Sequence, residues 1–156
     1  MHPSFKLDDL SGSAIRALLT AHFENLRAIS PPEVCHVMDV DRLKQANLEI
    51  WSLWLGDEVI GCGGLMTLDG DLAGAGELKS MRVKDSHLGQ GYGRAILDRL
   101  IERAAEKGMS KLYLETGAWE DFIPARKLYE KAGFTPCPAF GSYKEDPLSA
   151  YMSKVL

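Results

Sequence analysis

The stretch Met81-Arg82-Val83-Lys84-Asp85-Ser86-His87-Leu88-Gly89-Gln90-Gly91-Tyr92-Gly93-Arg94 constrains this chain more than any other. It begins as a strand, passes through a loop with glycines at alternate positions, and opens a long helix. That helix is predicted over Gly91 to Lys107: Tyr92, Ile96, Leu97, Leu100, Ile101, Ala104 and Ala105 form one apolar stripe, and Gly108 supplies a stop. A one-sided helix must lie against something, and the strand feeding it names a sheet as its partner. The loop also has a chemical reading. Glycine lets main-chain N–H groups approach a ligand with no Cβ in the way. The unpaired amides at a helix start, with the helix dipole, favour an anion. A phosphate or pyrophosphate is therefore predicted near Gly89 to Arg94, with the Arg94 guanidinium adding a charge-assisted contact. Gly89, Gly91 and Gly93 give G-x-G-x-G, which matches neither G-x-x-x-x-G-K-[ST] nor G-x-G-x-x-G. The competing reading is a glycine-rich turn that holds nothing.

The rest of the chain supplies the partners. A helix is predicted over Gly12 to Ala28, with Ile15, Leu18, Leu19, Phe23 and Leu26 on one face, Ser11 or Ser13 as cap, and Pro31-Pro32 as terminator. A short helix is predicted over Val40 to Ala46. Strands over Leu48 to Leu55, Val59 to Leu68 and Glu77 to Val83, separated by Gly- and Asp-rich turns, read as an antiparallel meander. Lys111 to Thr116 is a further strand. Asp121 to Ala132 is a helix, with Asp121 as its cap, Pro124 tolerable in its first turn and Gly133 ending it. Phe134-Thr135 and Ala150 to Val155 read as final strands. The order predicts an α/β (α+β) sandwich around a mixed sheet, in one domain over residues 1–156.

Composition excludes several functions. Lys plus Arg total 18 and Asp plus Glu total 22, a formal net charge of -4, which argues against a dedicated nucleic-acid binder. Cys35, Cys62 and Cys137 are far apart, with no C-x-x-C, so neither structural zinc nor a disulfide framework is expected. The N-terminus has no signal-peptide h-region and no apolar run reaches membrane-spanning length. The expectation is a cytoplasmic protein with no membrane partner and no metal.

Two segments together resemble a known family. Leu88-Gly89-Gln90-Gly91-Tyr92-Gly93 resembles the acetyl-CoA pyrophosphate signature [QR]-x-x-G-x-[GA] of the GNAT superfamily of N-acetyltransferases, with Leu88 where Gln or Arg is usual. Ala125-Arg126-Lys127-Leu128-Tyr129-Glu130-Lys131-Ala132-Gly133-Phe134 is similar to its A-x-x-L-Y-x-x-x-G-F, with Phe122 where many members carry Asn. Ser30-Pro31-Pro32-Glu33, Gly76-Glu77-Leu78-Lys79-Ser80-Met81 and Tyr143-Lys144-Glu145-Asp146-Pro147 are similar to a small bacterial branch of the YsnE type. The resemblance implies a GNAT-like mixed sheet of about six to seven strands flanked by about four helices, a meander followed by β-α-β-α-β.

It also implies chemistry. Acetyl-CoA would be the cosubstrate, and an amine of a small molecule or peptide would attack its thioester directly in a ternary complex. Met81 and Val83 would pair with the thioester arm through their main chains, and a bulge near Ser80 or Met81 would aim an N–H at the carbonyl oxygen. Arg82, Leu88, Gly89, Gln90, Gly91, Tyr92, Gly93, Arg94, Phe122 and Arg126 would complete the cosubstrate site. Tyr129 would protonate the departing thiolate; its alternative is a packed helix residue. Glu77, then Glu115, are the candidate bases; solvated strand-end carboxylates are the alternative. Glu33, His36, Trp54, Trp119 and Tyr143 are candidate acceptor contacts, with strand core the competing reading for Trp54 and a loop histidine for His36. A homodimer is compatible with the family. The rival functions are a non-catalytic acyl-CoA-binding or sensing module and a nucleotide-binding protein.

Overall fold

The structure is a computed structural model and describes residues 2–30, 40–44 and 47–156. Seven strands form one sheet. They are β1 (Ser4–Asp8), β2 (Leu48–Leu55), β3 (Glu58–Thr67), β4 (Ala75–Val83), β5 (Lys111–Gly117), β6 (Thr135–Pro136) and β7 (Ser149–Val155), in the order β1-β2-β3-β4-β5-β7-β6. β4 and β5 pair in parallel, and the other neighbours are antiparallel. The described helices are α1 (Ser13–Ile29), α2 (Tyr92–Glu106) and α3 (Ile123–Lys131).

Strand alternation sorts the core into two layers. Leu53, Ile60, Leu65, Leu78, Leu112 and Leu114 face α2 and α3. Ile50, Val59 and Cys62 face Ile15, Leu19 and Phe23 of α1. Leu97 and Leu100 of α2 are fully buried, and each such side chain contributes about 1.5–3 kcal/mol of apolar burial. The glycines of β3 set how closely α2 approaches. A Cβ on Gly63 would lie 2.8 Å from both Ile96 and Leu100 and 2.9 Å from the Met81 sulfur. With no side chain there, the helix settles directly onto the strand.

Several expectations are corrected. β1 has no counterpart among the expected elements: its five residues alternate polar and apolar, but the run is short, Leu7 stays exposed, and its place comes from pairing with β2. The expected helix from Val40 to Ala46 is a 3-10 turn over Asp41–Leu43, and residues 45–46 lie outside the described residues. Neither Ser11 nor Ser13 caps α1. Gly12 stands at the cap, and Ser11 spends both its N–H and its hydroxyl on Asp9 Oδ1. Asp121 likewise caps nothing. It sits within a 3-10 turn, Glu120–Phe122, and α3 starts one residue after that turn's end, with Pro124 in its first turn.

Candidate active site

The site begins where β4 and β5 part. Their register runs Ala75↔Lys111, Gly76↔Leu112 and Glu77↔Tyr113 and ends there, although β4 continues to Val83 and β5 to Gly117. Just past the last pair, β4 bulges. Cys62 of β3 pairs with Arg82 and Gly64 with Lys79, so Gly63 faces both Ser80 and Met81. Ser80 takes the left-handed conformation, φ 54°, uncommon for a residue with a side chain. The Cys62 thiol donates to the Ser80 carbonyl at 3.4 Å. Burial pushes that thiol up to about 12, so it stays a donor and is not a nucleophile. The expected bulge is thus present at the expected residues.

A cavity of about 190 Å³ fills the divergence. Met81, Phe122 and Tyr129 line it from the α3 side; Glu77, Glu115, Trp119 and Tyr143 complete it. Tyr129 is held edge-on to Phe134, 5.9 Å between ring centres. Burial first, and the Glu115 charge second, push its phenol up to about 12. Glu77 is 5% exposed on β4. Its Oε2 accepts the Tyr143 hydroxyl at 2.8 Å and lies 3.4 Å from the Lys79 ammonium. Burial, then the Glu77 charge, push the Tyr143 phenol far up, so it too remains a donor.

The glycine loop leaves β4 through Lys84, whose N–H donates to the Ile60 carbonyl at 2.7 Å. A 3-10 turn over Asp85–His87 follows, then Gly89 (φ 74°) and Gly91 (φ 87°), the latter capping α2. A Cβ at either glycine would meet nothing within 4 Å, so the backbone conformation demands glycine and the space before the helix mouth is open. Leu88 is 60% exposed and Gln90 is exposed beside it. The mouth of α2 is therefore open.

Other expected residues are placed differently. Arg94 turns along α2 to Asp98, 2.8 Å away. Arg82 alternates to the α1 face, bonding Asp85 at 3.0 Å, with its Nε buried and unpartnered. Arg126 donates to the carbonyls of Gly117 (2.6 Å) and Trp119 (3.0 Å), so it ties the end of β5 to the turn before α3. Tyr92 rests against His87, 6.1 Å between rings. Trp54 does not line the cavity. Its indole N–H donates to Ser52 and the Lys6 ammonium stands 4.4 Å above its ring, because β2 lies two strands from the divergence. Glu33 and His36 lie outside the described residues. Sequence reasoning also missed His22, Phe23 and Lys79, which line the cavity. A polar residue beside the apolar stripe of α1 was the available signal for His22. Its ring is buried, its Nδ1 has no partner, and burial and the Arg82 charge hold it down at about 4.

Residues 13–134 match the family model described as Acetyltransferase (GNAT) family. The chain belongs to the GNAT family. It is 43% identical over 151 residues, 97% of this chain and 98% of the other, to YsnE of Bacillus subtilis (strain 168), described as an uncharacterized N-acetyltransferase. It is 37% identical to YedL of Escherichia coli (strain K12), which carries the same description, over 98% of this chain and 94% of the other. Its fold matches a Bacillus subtilis acetyltransferase solved in complex with CoA, with a TM-score of 0.72 at 20% identity and 99% of each chain covered. As a family member the chain is an acyltransferase. No described helix is long and apolar enough to cross a membrane.

Proposed function

We propose that this GNAT protein transfers the acetyl group of acetyl-CoA to a primary amine by direct attack in a ternary complex. The observation that carries the reading is the divergence of β4 and β5 at Glu77, bulged at Ser80 and bordered by Tyr129. The amides at the mouth of α2 would hold the diphosphate, in the open space before Gly89 and Gly91. The opened edge of β4 would pair with the thioester arm through the main chains of Met81 and Val83. Bound there, the cosubstrate supplies an activated acyl group.

The chain's own residues would then manage protons. The carboxylates of Glu77 and Glu115 favour a cationic acceptor; Glu77 first, with Glu115 as the second candidate, takes one ammonium proton so that the neutral nitrogen can bond the acyl carbon, and the second N–H proton leaves to solvent as the amide forms. Both contacts Glu77 already makes fall on Oε2, which leaves Oε1 for the ammonium proton. Tyr129 gives its phenolic proton to the sulfur as the carbon–sulfur bond breaks, and solvent restores it. A phenol near 12 is protonated at neutral pH. The burial that disfavours its phenolate also disfavours a thiolate in the same cleft, so burial does not widen the gap between the two acids. Catalysis is preferred over binding alone because an acid and two carboxylates share one cavity. Free Cys62 and Cys137 suit a reducing compartment, the cytoplasm.

Calorimetry with CoA and thiol release with an amine panel test this reading. Gly91→Glu places bulk and negative charge at the helix mouth and should weaken CoA binding by about 100-fold or more; unchanged affinity would refute the cradle. Tyr129→Phe should lower kcat by about 100-fold with little change in KM for acetyl-CoA. A wild-type kcat would reduce Tyr129 to packing.

A further inference from the structure

A second cavity adjoins the cleft. It measures about 870 Å³ and lies between the turn at Asp69–Leu72 and the segment from Cys137 to Tyr143. Glu77, Lys79 and Tyr143 line both cavities, so these three form the wall between them. The wall is bonded together: the Tyr143 hydroxyl and the Lys79 ammonium both meet Glu77 Oε2. The Tyr143 ring is braced by Phe140, 5.0 Å away and edge-on, and by Tyr151 at 5.6 Å. Its N–H donates to the Phe140 carbonyl at 3.1 Å, which fixes the turn that carries it. Beyond the wall the surface is aromatic: Tyr113 and Phe140 lie 4.7 Å apart, with the Lys111 ammonium 5.0 Å from the Tyr113 ring centre.

We propose that Tyr143 is the partition that sets acceptor length. This rests on the acetyl-transfer reading and names the class of amine it serves. The first cavity must receive the thioester end and the amine together, and about 190 Å³ leaves room for a short amine. A chain running past Glu77 toward the second cavity meets the Tyr143 ring. Without that ring the two cavities join, and the wall of Tyr113 and Phe140 accepts an aryl or alkyl tail.

The test is thiol release from acetyl-CoA with a series of phenyl-terminated primary amines, from benzylamine through progressively longer linkers. In wild type, kcat/KM falls as the linker lengthens. In Tyr143→Ala, kcat/KM for the longest amine relative to benzylamine rises by about tenfold or more, mainly through KM. Tyr143→Phe keeps the ring and so keeps the wild-type length limit. Thermal denaturation confirms that each variant is folded; if Tyr143→Ala is not, Tyr143→Leu, which retains apolar packing against Phe140, is read in the same way. A folded, trimmed variant whose length profile superimposes on wild type overturns the partition. Amine-dependent release by wild type beside such a profile sinks the partition alone; no release with any amine sinks the acetyl-transfer reading and this one with it.

Discussion

The two faces of the sheet are made by the same alternating strands and both bury an apolar cluster, but buried polar groups gather on one of them. Toward α2 and α3 the strands present Leu53, Ile60, Leu65, Leu112 and Leu114, and an ionic cluster sits at the rim, where Glu49 meets Arg103 and Lys107. Toward α1 they present Ser52, Glu77 and Arg82 beside the apolar Ile50, Val59 and Cys62, and α1 adds His22 to its Ile15, Leu19 and Phe23. The first face positions α2, whose mouth is the proposed diphosphate site. The second keeps polar groups out of water, where each is sensitive to its neighbours. Stability on the first face should therefore be independent of pH until strong acid, and on the second it should depend on pH under mild conditions.

The strongest test of the apolar face is Gly63→Val. Its new side chain would press on Ile96 and Leu100, 1% and 0% exposed, which have nowhere to move. Overpacking of this kind should cost about 3 kcal/mol, roughly 10 °C in Tm, at every pH measured by thermal unfolding. A Tm within a degree or two of wild type would mean that α2 floats on β3, and the contrast between the faces would lose its basis.

His22 tests the other face. Its folded-state pKa near 4 lies below the ordinary 6.5, so between those values the unfolded chain takes up a proton that the folded chain refuses. Stability is full above 6.5 and is lost as pH falls toward 4, by about 3 kcal/mol at most. In His22→Leu this slope should vanish, with neutral-pH stability kept or raised because an unpartnered buried nitrogen is gone. Denaturant unfolding at pH 7, 6, 5 and 4 reads the difference directly. An acid slope that survives in the variant would assign it to another group.

The two faces also differ in how far the sequence reveals them. α2, α3 and the meander are legible because their signals are local: an apolar stripe, a glycine stop, alternation between turns. Tyr129 and the glycine loop are legible for the same reason, since each sits at a fixed offset within its own element. Glu77 and Glu115 follow from strand register. His22 is not legible because only the packing of α1 across the sheet brings it to the cavity, whereas Lys79, two residues along β4 from Glu77, follows from the same register and was passed over. Trp54 was misplaced because an aromatic residue on a strand does not say how many strands separate it from the site. The caps failed where local geometry won: the Ser11 hydroxyl is turned back to Asp9, two residues earlier, and Gly12 takes the cap position.

The smallest effect belongs to the rim of the apolar face. Arg103 grips Glu49 with two bonds of 2.9 Å, Lys107 stands at 3.1 Å, and the Trp51 indole donates at 3.1 Å. The Arg103 hydrogen bond, with those from Trp51 and Lys107, holds the carboxyl down at about 2 against the ordinary 4.5. The unfolded chain therefore takes up a proton at Glu49 before the folded one does. The contribution is full above pH 4.5 and is lost as pH falls through 2, a window that begins where that of His22 ends. Arg103 and Lys107 are open enough to solvent for screening, so the contribution is about 1 kcal/mol, well below the full shift. Glu49→Gln should accordingly lower stability by about that amount at pH 7, lose less with added salt, and converge on wild type near pH 2. If the difference instead persisted unchanged into strong acid, the Glu49 side chain would be acting through packing against Trp51, and the rim would be apolar in effect as well as in position.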